Sequence, residues 1–141
     1  MNRPEIAGVL ETAVYVDDMN AAHEFYSHIL GLKRMVAGDR LFAYDAGPGQ
    51  ALLVFHRGHT GEDIETNGGV VPGHHTSGNS HFAFRIGSDA VQAWRDYLKA
   101  NAVEIISEVV WPAGGTSLYF NDPDGNVLEL AAPPLWPNFL S

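Results

Sequence analysis

The chain has 141 residues, 45% of them hydrophobic, and a formal net charge of −9, a composition typical of one globular domain with a modest core. Its eight lysines and arginines are scattered, which argues against a nucleic-acid partner. The absence of cysteine excludes a disulfide framework and a thiolate metal site. Because the chain shows neither the apolar core of a signal peptide nor a run of membrane-spanning length, we expect a cytoplasmic protein with no membrane partner.

The first half of the chain predicts a β-α-β-β-β module. Residues 11–16 alternate as a strand does, and the following segment repeats apolar residues at helical spacing: Met19, Ala22, Phe25, Ile29 and Leu30. We expect Asp17 or Asp18 to cap the start of this helix and Gly31 to end it. Three shorter strands are predicted at 34–37, 40–45 and 51–56.

A polar connection rich in glycine and histidine covers residues 57–79. It is long for a structureless loop in a compact domain, which suggests a lid, a binding loop or a disordered linker. Four histidines flank it or lie in it: His56, His59, His74 and His75. In such a segment we expect solvated or adventitiously metal-binding histidines rather than a catalytic element.

The second half repeats the first, since residues 81–105 resemble residues 11–35. A strand begins at His81, and the helix after it carries Val91, Trp94, Tyr97 and Leu98 on one face. We expect Ser88 to cap the start of this helix and Asn101, 70 positions after Gly31, to adopt the left-handed cap at its end. Strands are predicted at 104–110, 117–121 and 126–132, with the turn NDPDGN echoing DAGPGQ of the first half.

One helix cannot cover both faces of a four-stranded sheet, so the two modules are expected to pair. The sequence therefore predicts an α+β fold in a single domain, residues 1–141. Its parts are module one at about 9–56, the connection at 57–79, module two at about 80–132 and a C-terminal tail at 133–141.

Three polar residues stand out in the predicted strands: Glu11, His81 and Glu129. Because strand side chains alternate between faces, all three are expected on the face away from the helix. Two carboxylates and an imidazole converging there would repel or be poorly solvated unless a cation compensates them. Three oxygen and nitrogen ligands that leave coordination positions of the metal open for water or substrate would be typical of a catalytic metal site.

The segments YVDDMNAAHEFYSHILGL and SLYFNDPDGNVLEL resemble the vicinal oxygen chelate superfamily, which includes glyoxalase I, extradiol dioxygenases and bleomycin-resistance proteins. The resemblance covers nearly the whole chain. It implies paired modules whose sheets curl around a metal cavity, with ligands at Glu11, His81 and Glu129. It also implies one divalent ion, which the sequence does not identify among Zn, Ni, Mn, Fe, Co and Mg.

Differences between this chain and individual members of the family narrow the range of functions that we expect. Glyoxalase I takes a fourth ligand at the position of Leu53, and the assisting histidine of the dioxygenases would fall near Val110. Bleomycin-resistance proteins lack the ligand set. We therefore favour a glyoxalase-like metalloenzyme acting on a small molecule whose oxygens chelate the metal. An extradiol dioxygenase and a ligand-sequestering protein are the alternatives.

Two further residues receive expected roles besides ligation. Tyr119 would donate a hydrogen bond to a metal-bound oxyanion; the alternative is that it only packs against its neighbours. Arg85 would neutralise a substrate carboxylate; the alternative is a solvated arginine without such a role. Glu129 or Glu11 would be the proton-transfer base. The long connection and the apolar tail predict a homodimer in which Glu11 of one chain joins His81 and Glu129 of the other.

Overall fold

The protein is described by a computed structural model covering residues 2–139, so that Leu140 and Ser141 of the predicted tail lie outside the described residues. Ten strands and two helices fill this range. In chain order they are β1 (Glu11–Val16), α1 (Met19–His23) continuing as a π-helical segment (Glu24–Ile29), β2 (Arg34–Ala37), β3 (Leu41–Asp45), β4 (Ala51–His56), β5 (Ile64–Thr66), β6 (Gly69–Val71), β7 (His81–Arg85), α2 (Val91–Ala100), β8 (Ser107–Val110), β9 (Thr116–Asn121) and β10 (Val127–Ala132).

Each module forms a four-stranded mixed sheet with the same topology. The strand order is β1-β4-β3-β2 in module one and β7-β10-β9-β8 in module two. In each sheet the first and last strands of the module are parallel, and the remaining neighbours are antiparallel. The strands β1 and β7 therefore lie at sheet edges. This is the predicted α+β architecture of two β-α-β-β-β modules.

The ends of several elements differ from the prediction. Asp18 caps α1 as expected, accepting a hydrogen bond of 2.9 Å from the Ala21 amide. Ser88 does not cap α2, because that helix begins later and follows Ala90, which supplies no side-chain cap. The left-handed residue after α2 is Ala102 rather than Asn101, whose φ is −100°. The strand expected to begin at 104 begins only at Ser107.

A single core joins the helix-facing sides of both sheets. Val14 and Val16 are fully buried, and Leu128 and Leu130 are at most 2% exposed, as their alternation in the sequence predicts. Phe25 of the helical segment contacts Phe120 of β9, with ring centroids 6.2 Å apart. Because the core occupies the helix-facing sides, the faces that carry Glu11 and Glu129 lie on the other sides of their sheets.

A buried polar network joins the two modules. The Tyr26 hydroxyl donates to Asp122 Oδ2 at 2.7 Å, and Asn126 Nδ2 donates to the Tyr15 carbonyl at 3.2 Å. Asp124 Oδ1 accepts from the Asp17 amide at 2.8 Å. Tyr26 and Asn126 are fully buried. The turn between β9 and β10 thus fixes the end of β1 through hydrogen bonds rather than apolar contacts alone.

The connection between the modules is ordered by contacts of its own. Its strands β5 and β6 pair as an antiparallel hairpin. At the base of the hairpin, the His74 amide donates to the Thr60 carbonyl at 2.8 Å and the Thr60 hydroxyl donates to the His74 carbonyl at 2.5 Å. The pair Asn67-Gly68 at its tip is a turn signal that could have predicted this hairpin. None of the described helices is long and apolar enough to cross a membrane.

Candidate metal site

His81 and Glu129 meet on the open face of module two. They lie on the parallel neighbours β7 and β10, where His81 is opposite Val127 and Glu129 is opposite Ala83. The His81 Nδ1 atom is 2.8 Å from the Val127 carbonyl oxygen. A carbonyl oxygen only accepts, so Nδ1 carries the proton and donates it. In the neutral ring, Nε2 then presents a lone pair, the form of imidazole that ligates metal ions.

Glu129 is held in place from both sides of its carboxylate. Although its side chain is a carboxyl group, Glu129 is only 6% exposed. Its Oε2 accepts a hydrogen bond from the Ser117 hydroxyl, which itself accepts one from Trp111 Nε1 at 2.8 Å. Its Oε1 lies 3.3 Å from Nε2 of His81. The chain of Trp111, Ser117 and Glu129 therefore turns one carboxylate oxygen toward the imidazole.

The donor set fits a divalent cation. A lone pair on Nε2 facing a carboxylate oxygen is unfavourable unless a proton or a cation lies between them. Two ligand atoms each about 2.1 Å from one ion, at an angle between 90° and tetrahedral, lie about 3.0 to 3.4 Å apart. The separation of 3.3 Å falls in that range. The pair can thus supply one nitrogen and one oxygen ligand to a single ion.

Tyr119 lies beside this pair, opposite Glu129 in the antiparallel register of β9 and β10. Its ring stacks on the His81 ring with centroids 6.1 Å apart. Burial, followed by the negative charge and hydrogen bonding of Glu129, raises the pKa of the Tyr119 hydroxyl above its ordinary value. A tyrosine hydroxyl is protonated at neutral pH in any case, so it can act as a hydrogen-bond donor.

Arg85 and the C-terminal tail complete a cavity of about 510 Å³ around these residues. Arg85 ends β7, and its Cζ lies 5.5 Å from the centre of the Phe139 ring. The cavity is also lined by Trp111 and Trp136, the latter 73% exposed. A guanidinium at one end of an apolar cavity suits an anionic group of a ligand.

Glu11 does not join His81 and Glu129 within one chain. It begins the edge strand β1, is exposed, and lines a groove of about 780 Å³ that adjoins the cavity of His81 and Glu129 and shares Arg85 and Phe139 with it. Among residues 2–139, no three His, Asp or Glu side chains are close enough to hold a metal ion. Leu53 occupies the place in module one that Glu129 occupies in module two, because it lies opposite Ala13 and Ala43 as Glu129 lies opposite Ala83 and Tyr119.

The sequence reasoning missed Ser117 and Trp111. A usable signal existed for Ser117, since it alternates with Tyr119 on the same strand and therefore shares its face. Trp111 follows β8 in a turn whose position depends on tertiary packing, so no local pattern could have placed its indole. Both residues support Glu129 and contribute no ligand atom themselves.

The family model described as "Glyoxalase/Bleomycin resistance protein/Dioxygenase superfamily" matches residues 8–130 of the chain. The chain belongs to this superfamily. The vicinal oxygen chelate resemblance of its two motifs is thereby confirmed, as is the α+β fold.

Relatives within the superfamily include enzymes. The chain is 31% identical over 127 residues to the metallothiol transferase FosB of Staphylococcus epidermidis, covering 89% of this chain and 82% of FosB. The solved lactoylglutathione lyase of Agrobacterium tumefaciens is 30% identical with a TM-score of 0.86, covering 95% of this chain and 99% of the lyase. A glyoxalase/dioxygenase from Nostoc punctiforme, at 21% identity and a TM-score of 0.66 over 95% of this chain and 99% of that one, shares the fold.

Proposed function

We propose that the protein is a divalent-metal-dependent enzyme of glyoxalase-like type acting on a small molecule whose oxygens chelate the metal. The observation that carries this proposal is the pairing of His81 with Glu129. The Nε2 atom is oriented by the Val127 carbonyl and lies 3.3 Å from a buried carboxylate that a serine holds. A ligand-sequestering protein would not need such an arrangement.

The third ligand in this proposal is Glu11 of a partner chain in a homodimer. Glu11 and His81 each begin an edge strand, so two copies could bring these strands together. The residues before Glu11 are apolar and exposed: Ile6 at 92%, Val9 at 80% and Leu10 at 67%. An apolar patch beside an open sheet edge is typical of a surface that another chain covers. The shared site would bring two carboxylates and one imidazole to the ion.

A bound divalent ion would supply Lewis-acid polarisation of the substrate oxygens. Tyr119 would donate a hydrogen bond from its hydroxyl to the oxygen that gains negative charge. Either glutamate could take a substrate proton once released from ligation, and Arg85 would hold an anionic group of the substrate. The tail residues Trp136 and Phe139 would limit the entry of water at the rim.

The two named relatives support a thiol as one reactant. One is a metallothiol transferase and the other a lactoylglutathione lyase, and glutathione is itself a thiol. Ring cleavage by a dioxygenase is less well supported, because the position of its assisting histidine is Val110, which is 77% exposed on β8. A cytoplasmic location stays a prediction.

Elemental analysis of purified variants tests the ligand set. We expect Glu11→Gln, His81→Ala and Glu129→Gln each to lower bound divalent metal well below the wild-type content while the circular dichroism spectrum is unchanged. Glu108→Gln serves as the control, because that glutamate pairs with Arg95 away from the cavity. Full metal occupancy in all three variants would contradict the site.

Mixing two inactive variants tests whether the site is shared. A dimer formed from one Glu11→Gln chain and one Glu129→Gln chain would contain one intact site and one doubly altered site. We therefore expect mixing to restore metal binding to about half of the sites in mixed dimers. Mixed dimers, verified by mass spectrometry, that regain no metal would contradict the exchange.

A further inference from the structure

The open face of module one carries an aromatic and imidazole cluster that the proposed chemistry does not use. Tyr15 lies on β1 two alternations after Glu11, on the same face, and is paired in register with Phe55 of β4. The His74 ring contacts Phe55 edge-on at 4.6 Å between centroids and Tyr15 at 5.7 Å. The Tyr15 hydroxyl and His74 Nδ1 are hydrogen-bonded to each other. We call these three residues the Tyr15 corner.

His74 belongs to the connection between the modules, yet its position is rigidly defined. The reciprocal hydrogen bonds with Thr60 fix its backbone on both sides. Gly73 packs so closely on Gly61 that a Cβ there would collide with the Gly61 carbonyl. A second clamp is Arg57, which donates to the carbonyls of Thr76 at 2.7 Å and Tyr15 at 3.1 Å. A histidine that only contacted solvent would not need its loop to be held by so many contacts.

The Tyr15 corner has the chemistry of a hydrogen-bonding subsite. Tyr15 and His74 are half-buried, so part of each ring remains accessible. Within the described part of the chain, the second ring nitrogen of His74 has no hydrogen-bond partner. When the Tyr15 hydroxyl donates to Nδ1, that second nitrogen carries a proton and becomes a donor. The corner then offers a donor to a carboxylate or carbonyl oxygen.

Its distance from the metal ligand sets the size of the molecule it can contact. Tyr15 is four residues from Glu11 along one strand, which corresponds to about 13 Å at about 3.3 Å per residue. An extended tripeptide spans about 10 Å, whereas a single amino acid spans about 3.5 Å. A tripeptide held at the metal would therefore extend over most of the distance to the corner, whereas a single amino acid would cover only about a quarter of it.

We propose that the Tyr15 corner is a subsite for the acceptor oxygen, carboxylate or carbonyl, at the far end of a tripeptide-sized thiol substrate. This assignment rests on the proposed function for the thiol and for the position of Glu11. By the repeat offset of 70, Tyr15 corresponds to Arg85 of module two, so each module contributes one binding corner to the open faces. His74 acts here as a binding residue and has no role in holding the metal.

Isothermal titration calorimetry on the zinc-loaded full chain tests the subsite, with glutathione and L-cysteine as probes. We expect glutathione to bind at least tenfold more tightly than cysteine. His74→Ala is expected to lower glutathione affinity about tenfold, as for the loss of a hydrogen bond to a charged group, with cysteine affinity and zinc content unchanged. His75→Ala is the matched control, since His75 is the exposed neighbour on the same loop.

Tyr15→Phe keeps the ring and removes only the hydroxyl, so it covers the case in which His74→Ala disturbs the loop. We expect several-fold weaker glutathione binding with an unchanged melting temperature. Glutathione diethyl ester distinguishes the two possible acceptors. If the corner binds a carboxylate, the affinity for the ester should not depend on His74. If it binds a carbonyl oxygen, His74→Ala should weaken the binding of the ester as it weakens that of glutathione.

Two results would overturn the subsite. One is wild-type glutathione affinity in both folded variants, and the other is a wild-type protein that binds glutathione no better than cysteine. Failure of the proposed function is distinguishable, because it appears as full metal content in the Glu11, His81 and Glu129 variants. That readout is independent of His74.

Discussion

A backbone hydrogen bond decides what the His81 side chain can do. Because Nδ1 keeps its proton and donates a hydrogen bond to the Val127 carbonyl, Nε2 faces Glu129 with a lone pair in the neutral ring. The same carbonyl group belongs to the strand that carries Glu129. The local geometry of one parallel strand pair therefore sets both the ligand atom and its direction.

Ser117 is expected to control the affinity of this pair for metal. Ser117→Ala removes the hydroxyl that fixes Glu129 Oε2 and leaves the Trp111 indole without its acceptor. We expect divalent-metal affinity to fall about 10- to 100-fold, the usual effect of losing a group that orients a ligand. Competition with a chromophoric chelator measures this metal affinity.

Ser107→Ala, on the exposed edge strand β8, is the matched control for this change and should bind metal as the wild type does. Equal affinity of the Ser117 and Ser107 variants would show that Glu129 needs no support from the hydroxyl.

Tyr119 is expected to affect turnover and leave metal content alone. If its protonated hydroxyl stabilises charge on a substrate oxygen, Tyr119→Phe should lower turnover by about 10- to 1000-fold. The measurement is a rate under saturating thiol substrate together with elemental analysis. Unchanged turnover would leave Tyr119 with a packing role against the His81 ring.

At the scale of elements, the two helices begin by different means. Asp18 caps α1 through the Ala21 amide, whereas α2 starts after Ala90 without a side-chain cap. Asp18→Ala should lower the free energy of unfolding by about 1 kcal/mol. Ser88→Ala is the control and should change it by less than about 0.5 kcal/mol. Urea unfolding measures the free energy of unfolding of both variants. Equal losses would contradict the assignment of Asp18 as a helix cap and of Ser88 as a residue that caps no helix.

Alternation along the strands was the most informative sequence pattern. It predicted the burial of Val14, Val16, Leu128 and Leu130, and it put Glu129 on the opposite face. It could not predict that Glu11 remains apart from His81 in one chain, because face alternation says nothing about how two sheets are arranged. Nor could it predict that the buried Tyr26 hydroxyl finds its hydrogen-bond acceptor in Asp122, 96 residues away.

At the scale of the molecule, buried tyrosines couple the fold to alkaline pH. Burial raises the pKa of Tyr44 to about 12, and burial with the neighbouring Asp122 raises the pKa of Tyr26 further. Both ionise near pH 10 in an unfolded chain. Above that pH the native state binds more protons than the unfolded state, so stability is lost as pH rises.

The expected result is a free energy of unfolding that falls steeply above about pH 10. Tyr26→Phe should be less stable at pH 7, because Asp122 loses a donor, but its stability should fall less steeply with pH. Urea unfolding at several pH values, with tyrosinate absorbance followed in parallel, measures the slopes. Parallel slopes for the two proteins would contradict the role of Tyr26.

The buried polar network that joins the two modules also has a consequence for the synthesis of the chain. Tyr26 is translated long before Asp122, whose carboxylate accepts the hydrogen bond of the Tyr26 hydroxyl from 96 positions further along the sequence. Until the turn between β9 and β10 has left the ribosome, the Tyr26 hydroxyl lacks the partner that satisfies it in the buried core. The packing of Tyr26 is therefore expected to be completed only after the second half of the chain has been translated, because its partner lies there.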